Sequence, residues 1–347
     1  MEVLLTATLW ILGLTLGLLL LGFLYQQVGS LRDTRRFPPP GRRVDIGGYR
    51  LHLIGSGQGS PTVVFESALG ATCLTWALVQ SEVARLTSTV SYDRAGCGWS
   101  GQGPMPRSAE QILQELRLLL RRSSLEPPYL LVGHSYGGLT VRLFAHRYPD
   151  EVAGALLLDP ADAEQWLNLK SEDRAKIVNG ARLSRRGVWL ARFGLARLVV
   201  FLGSAGAQSP ARGLALFLSE GVPRTVQDRL LSPMQRLPQE ARDVLKWFWT
   251  RPAYFQALAS QIEWVSQSAQ QVQLSPLPPE LLLTVISAQK SDPHWMLGQE
   301  KTAALSSHGK HLVASDSGHW IPLDRPDLVV ETLCQMVEEV RIGMLSC

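Results

Sequence analysis

The pentapeptide Gly133-His134-Ser135-Tyr136-Gly137 sets a serine between two glycines. It follows the apolar run Tyr129–Val132 and opens Gly137–Tyr148, a helical stretch stopped by Pro149. So tight a passage from strand to helix forces the serine into a strained backbone, and the flanking glycines make room for it. The hydroxyl is then lifted above the sheet at a helix N-terminus, where developing negative charge is favoured. The chemistry that suits this setting is nucleophilic attack on a carbonyl. The bland alternative is a serine that merely caps the next helix.

A serine hydroxyl is a weak nucleophile and needs a base within hydrogen-bond reach. Among seven histidines, His319 lies in Ser315–Pro322, after the last strand and before the last helix. That loop leaves the same sheet edge as Ser135. His52 falls in an early hairpin, His134 beside the nucleophile and pointing away, and His146 on the helix after Ser135. His308 and His311 precede the last strand, at the opposite edge, and His294 is the rival. The imidazole in turn needs an orienting carboxylate. Asp292, after the apolar run Leu281–Ile286, lies between Ser135 and His319 in the chain and is the favoured acid. Asp159, after Ala155–Leu158, is the alternative acid, with Asp162 behind it. A proline-flanked aspartate such as Asp292 is also common in plain turns. An oxyanion formed at the attacked carbonyl needs two donors. The Tyr136 amide is one. The second belongs to the loop Glu66–Ala71, with Leu69 preferred and Ala68 next.

Those residues need a scaffold that brings distant loops together. Short apolar runs at Val44–Ile46, Tyr49–Ile54, Thr62–Phe65, Thr89–Tyr92, Tyr129–Val132, Ala155–Leu158, Leu281–Ile286 and Leu312–Ala314 read as strands, the first two as a hairpin through Gly47-Gly48. Helical patterns at Ser108–Arg122, Gly137–Tyr148 and Asp327–Ile342 alternate with them. Alternation of this kind predicts an α/β fold with a mostly parallel sheet covered on both faces. Residues 161–275 break the rhythm: they hold helix-like segments and almost no strand, which predicts a helical cap over the sheet. Within it Arg182, Arg185, Arg186, Arg192 and Arg197 accompany Val188, Trp189, Leu190, Phe193 and Leu195. On one helix the five arginines fall within an arc of about 140°. Such a face suits a lid against anionic lipid, or a plain solvated face.

From Val3 to Tyr25 the chain carries no charge. As a helix that run spans about 34 Å, against a bilayer core of about 30 Å. A cleaved signal peptide would need a basic start and a shorter apolar run, whereas the only early charge is Glu2. The expectation is a single-pass anchor, with Arg32, Arg35, Arg36, Arg42 and Arg43 placing the catalytic body on the cytoplasmic side. The chain then divides into an anchor (1–28), a linker with the stiff Phe37–Gly41 (29–43), a first core part (44–160), the cap (161–275) and a second core part (276–347). A net charge of +4 from 34 basic and 30 acidic residues, with no basic run, predicts no nucleic-acid partner. Cys73, Cys97, Cys334 and Cys347 form no C-x-x-C pair, so no metal is expected and the thiols read as reduced.

Four stretches together resemble the α/β-hydrolase superfamily, over about Val44 to Arg341. They are Ser67–Ala71 followed by Trp76, Tyr92–Ser100, the Ser135 pentapeptide and Gly318-His319-Trp320. The resemblance implies an eight-stranded sheet with a cap and a cofactor-free serine hydrolase, commonly an esterase, lipase or amidase. It gives Asp93 and Arg94 a structural role beside the pocket. Many relatives carry His-Gly-X where Ser67-Ala68-Leu69 stands here, and Leu69 falls on the residue whose amide is used. Relatives often carry the acid after the seventh strand in Gly-x-x-Asp-Pro, and Gln289–Pro293 lacks the glycine. Relatives that open epoxides or haloalkanes use aspartate where this chain has Ser135, which argues against both reactions. The substrate expected is a small lipophilic ester or amide reached from the membrane. Peptidase or acyltransferase chemistry would use the same three residues, and a non-catalytic binding protein would keep the pocket without turnover.

Overall fold

The structure is a computed structural model, described here for residues 1–204, 233–291 and 293–345. Eight strands form one sheet: β1 (Arg42–Asp45), β2 (Arg50–Ser56), β3 (Thr62–Glu66), β4 (Thr89–Tyr92), β5 (Tyr129–His134), β6 (Val152–Leu158), β7 (Leu282–Ala288) and β8 (Gly309–Ala314). Their order is β1-β2-β4-β3-β5-β6-β7-β8. The β1–β2 hairpin and the β2–β4 pair are antiparallel, and every other neighbouring pair is parallel. Strands β3 and β5 are buried along their whole length, as central parallel strands covered on both faces must be. His311 lies inside β8, not before it, and its Nε2 is 2.7 Å from Ser287 Oγ.

The helices are α1 (Glu2–Arg36), α2 (Ala77–Val83), α3 (Ala109–Arg122), α4 (Gly137–Arg147), α5 (Ala163–Leu167), α6 (Ser171–Arg192), α7 (Leu195–Ser204), α8 (Gln239–Phe248), α9 (Pro252–Glu263), α10 (Val265–Gln273), α11 (Pro293–Ala303), α12 (Ile321–Asp324) and α13 (Pro326–Leu345). Helix α3 starts where its sequence says it should: the Ser108 hydroxyl accepts from the Gln111 amide at 3.3 Å. One core layer joins α3 and α4 to Val64, Leu131 and Leu157. The other joins α2 and α13 to Val63, Val132 and Leu156 on the opposite sheet face. Each strand thus sends alternate side chains to opposite layers.

Helices α5–α10 lie between β6 and β7 in sequence, and no strand interrupts them among the described residues. The arginine face expected there does not form on one helix. Helix α6 stops at Arg192, Gly194 follows at φ +74°, and Arg197 belongs to α7. A left-handed glycine ends a helix cheaply where a side chain would be strained. Two of the five arginines are moreover engaged: Arg185 Nε lies 2.5 Å from Glu263, and Arg197 pairs with Asp33.

At the N-terminus the long apolar helix exists, and none of its most apolar residues is buried. It runs on to Arg36, through residues 29–36 that the sequence reading placed in a linker. Contact with the cap explains the extension. Gln26 is buried and donates to the Thr250 carbonyl at 2.9 Å, and Phe37 stacks on Trp247 with ring centroids 5.8 Å apart.

Candidate active site

Three strand ends build the site. Ser135 follows β5 at φ +54°, the left-handed conformation expected for a serine forced into this turn. Glycine is needed on both sides. A Cβ on Gly133 would lie 2.9 Å from the carbonyl carbon of Gly137, and one on Gly137 would lie 2.8 Å from the Ser67 oxygen. The turn is tied to the next strand: the Ser135 amide donates to Leu158 O at 3.0 Å, and the Ala161 amide donates to Ser135 O at 2.9 Å.

His319 Nε2 lies 2.9 Å from Ser135 Oγ. Its Nδ1 lies 2.6 Å from Asp159 Oδ2. The carboxylate at the histidine is therefore Asp159, the alternative, and Asp292 lies outside the described residues. The topology accounts for this. Strand β6 sits directly beside β5, so the residue after β6 arrives next to the nucleophile. Asp159 takes a left-handed φ of +41°, and its amide donates to Ile286 O at 2.8 Å. Its Oδ1 accepts from Trp295 Nε1 at 3.1 Å, Ser291 Oγ at 3.2 Å and the Ala288 amide at 3.3 Å. These donors fix the buried carboxylate and leave Oδ2 for His319. Asp162 instead caps α5, accepting from the Glu164 amide at 2.9 Å. His294 sits on α11.

His134 has a task that the sequence reading missed. Its Nε2 donates to the His319 carbonyl at 2.7 Å and so holds the histidine loop. Burial, with the nearby His319 ring, pulls its pKa down to about 3, so the ring is neutral. A carbonyl partner on one nitrogen fixes which one carries the proton. The signal in the sequence was only its adjacency to Ser135. Ser291 and Trp295 were likewise invisible as carboxylate donors.

On the other side of the nucleophile lies the loop after β3. Neither the Leu69 nor the Tyr136 amide donates a hydrogen bond among the described residues. Arg94 shapes this loop: it is buried, with Nε 2.6 Å from Glu66 Oε1 and Nη1 3.1 Å from Ala68 O, and it also bonds Ser67 O. Burial alone would lower the Arg94 pKa, but Glu66, Tyr92 and Tyr136 together outweigh it and keep the guanidinium charged. Two successive carbonyls of the loop, Ser67 and Ala68, are thus held by one guanidinium. From above, α9 closes on the loop: a Cβ on Gly70 would lie 2.9 Å from the Leu258 methyl and 3.2 Å from the Tyr254 hydroxyl. The Tyr136 ring is pinned below by Ser268 Oγ, 3.1 Å from its hydroxyl. His319 remains accessible, with 38% of its side chain exposed, while Asp159 is sealed at 2%. The arrangement can take a proton from a hydroxyl and hand it on.

A second group of potential ligands, His52, Cys73 and Asp93, is buried in the core. His52 Nδ1 lies 2.8 Å from Asp93, and its Nε2 bonds the Pro40 carbonyl. Asp93 also accepts from the Cys73 amide at 2.9 Å and the Trp99 amide at 3.0 Å. Every polar atom of the pair is committed, as in a brace.

Comparison with known proteins agrees with this architecture. A Bacillus subtilis protein, the uncharacterized YqjL, is 39% identical over 105 residues, 30% of this chain and 42% of that one. A second, the uncharacterized YbdG of the same organism, is 27% identical over 159 residues, 45% of this chain and 49% of that one. The matches thus span about half or less of these relatives. Among solved structures, the thermophilic esterase of Thermogutta terrifontis superposes with a TM-score of 0.60 at 18% identity, covering 86% of this chain and 98% of that one. The enol-lactonase of Burkholderia xenovorans LB400 gives 0.59 at 19% identity, covering 86% and 100%. At such identities they share the fold. The model of the alpha/beta hydrolase family matches residues 63–332, which hold β4 to β8, nearly all of β3 and the residues arranged at Ser135, and the chain belongs to that family.

Proposed function

We propose that this chain is a serine hydrolase that cleaves a lipophilic carboxylic ester through an acyl-enzyme on Ser135. The observation that carries the reading is the continuous relay Ser135–His319–Asp159, at 2.9 Å and 2.6 Å. Ser135 Oγ attacks the carbonyl carbon as its proton passes to His319 Nε2. Asp159 holds the Nδ1–H and stabilises the imidazolium that forms. The oxyanion takes hydrogen bonds from the Leu69 and Tyr136 amides. Collapse breaks the ester C–O bond, and His319 gives its proton to the leaving alkoxide. Water, deprotonated by His319, then attacks the acyl carbon and releases the acid, and the proton returns to Ser135.

The preference for a lipophilic ester rests on α1. An exposed apolar helix of that length needs a hydrocarbon environment, which supports a single-pass membrane anchor, and the arginines that follow, Arg32, Arg35, Arg36, Arg42 and Arg43, favour the catalytic body on the cytoplasmic side. The esterase and lactonase among the similar structures favour an ester over an amide bond.

The test is labelling with a fluorophosphonate probe, followed by hydrolysis of p-nitrophenyl esters of graded acyl length. Wild type should label and Ser135→Ala should not. Removing the acylated hydroxyl should cost about 10⁶-fold in turnover. A folded wild type that neither labels nor hydrolyses any ester would favour a non-catalytic binding protein and sink the proposal.

A further inference from the structure

A cleft of about 810 Å³, lined by none of the residues that surround Ser135, lies between the last turns of α1, the face of α7 and helix α8. Its α1 wall is Tyr25, Gly29, Arg32, Asp33 and Arg36, one helical stripe at spacings of three and four. The stripe begins at Tyr25, where the apolar run starting at Val3 gives way to Gln26 and Gln27. If α1 spans a bilayer, the cleft opens at the level of the lipid headgroups.

The lining has two halves. Four cations face the cleft: Arg32, Arg36, Arg197 and Lys246. Two acids oppose them, Asp33 and Asp243. Both acids are already engaged, Asp33 by Arg197 and Asp243 by Lys246 at 2.8 Å. Arg32 and Arg36 form no salt bridge among the described residues, and the Arg36 guanidinium rests 5.0 Å from the Phe37 ring. The other half is apolar: Tyr25, Phe37, Phe201 and Trp247. Nearby Leu195, Leu198 and Phe201 are exposed along α7, Phe201 at 60%. The cleft is also preformed. Arg197 ties α7 to α1 through Gln26 Oε1 at 3.0 Å, and Gln26 ties α1 to the Thr250 carbonyl. A ligand therefore meets little ordering cost on entry.

We infer that this cleft binds the headgroup of an anionic phospholipid of the surrounding membrane, with the phosphate between Arg32 and Arg36 and the acyl chains running along α7 and the apolar stretch of α1. Paired guanidiniums suit a phosphodiester. The volume matches sites for small ligands, about 300–1,000 Å³. The lipid holds the cap at a fixed depth in the interface. The inference rests on α1 as a membrane span but not on the chemistry at Ser135.

The test uses the full chain, reconstituted and then examined by native mass spectrometry in detergent with equal amounts of phosphatidylglycerol and phosphatidylcholine. Phosphatidylglycerol adducts should dominate by about tenfold, or about 1.4 kcal/mol. The double variant R32E/R36E should lose that preference. R32Q/R36Q should lose it as well, and R32K/R36K should keep most of it. R50E/R85E, equal in charge but remote, should keep it all. Thermal unfolding at the wild-type temperature shows that each variant is folded. Equal retention of the two lipids overturns the inference, as does a preference that survives R32E/R36E. Displacement of the lipid by millimolar inorganic phosphate would make free phosphate the ligand and also overturn it. An alkaline carbonate wash keeps the two readings apart. A chain stripped from vesicles by the wash refutes the span and the lipid site together. A chain that resists the wash but shows no lipid preference refutes the lipid site alone.

Discussion

Among the described residues two aspartate–histidine pairs stand in contrast. His319 and Asp159 meet at 2.6 Å, and His52 and Asp93 at 2.8 Å. Chemically the pairs are alike. They differ in what the second ring nitrogen faces and in access to solvent. His319 Nε2 faces a hydroxyl that can surrender a proton, and the ring is 38% exposed. His52 Nε2 faces the Pro40 carbonyl, and both members of its pair are fully sealed. Sealed between a carboxylate and a carbonyl, with no hydroxyl to draw a proton from, the His52 ring holds two loops together. Burial opposes ionisation of Asp93, yet His52 and the amides of Cys73 and Trp99 outweigh it and hold the carboxyl below the ordinary aspartate range. In the proposed reaction one pair is a relay, while the other is a staple between the β1–β2 hairpin and the loop after β4.

That contrast can be broken experimentally. The largest effect belongs to Asp159→Asn, which should cost about 10⁴-fold in ester hydrolysis, because the amide leaves His319 in the wrong tautomer. Its melting temperature should stay near wild type. Asp93→Asn should do the reverse. Removing one partner of a buried pair costs about 3–5 kcal/mol of stability, seen as a lower urea midpoint, while the fraction still folded should label normally. Activity lost without any loss of stability in Asp93→Asn would erase the distinction.

A smaller effect concerns pH. His134 is neutral and buried, with its pKa pulled down to about 3. In the unfolded chain it titrates near 6.5, so below that pH the unfolded state takes up a proton that the folded state refuses. The stability His134 contributes is therefore complete above pH 6.5 and is lost as pH falls toward 3. Between pH 6.5 and pH 5 the loss should be about 2 kcal/mol. His134→Gln keeps a donor for the His319 carbonyl but cannot titrate, so its denaturation midpoint should fall less over that interval. Parallel slopes would refute the assignment. The smallest effect is Ser291→Ala. It removes one of several donors to Asp159 Oδ1 and should slow turnover about tenfold, in line with the loss of one hydrogen bond.

How much of this was readable in the sequence depends on whether the information was local. The Ser135 turn was legible because strand, glycines and helix stand in one short stretch. His319 was legible from its place after the last strand. The acid was not, since chain order puts both Asp159 and Asp292 between Ser135 and His319. What decides between them is that β6 lies beside β5, a long-range fact. The positive φ of Asp159 and its donors Ser291 and Trp295 are products of the folded state as well. At the cap, helical periodicity suggested one arginine face, and Gly194 divided it. At α1 the apolar run marked where a span would end, but contacts with the cap, Gln26 with Thr250, Asp33 with Arg197 and Phe37 with Trp247, accompany the helix on to Arg36.

The most direct measurement is the rate of fluorophosphonate labelling at Ser135 in three folded variants side by side. Asp159→Asn should label slower than wild type by about 10³-fold or more, whereas Asp292→Asn and the folded fraction of Asp93→Asn should label within about twofold of it. Wild-type labelling in Asp159→Asn, together with loss in Asp292→Asn, would contradict the relay described here.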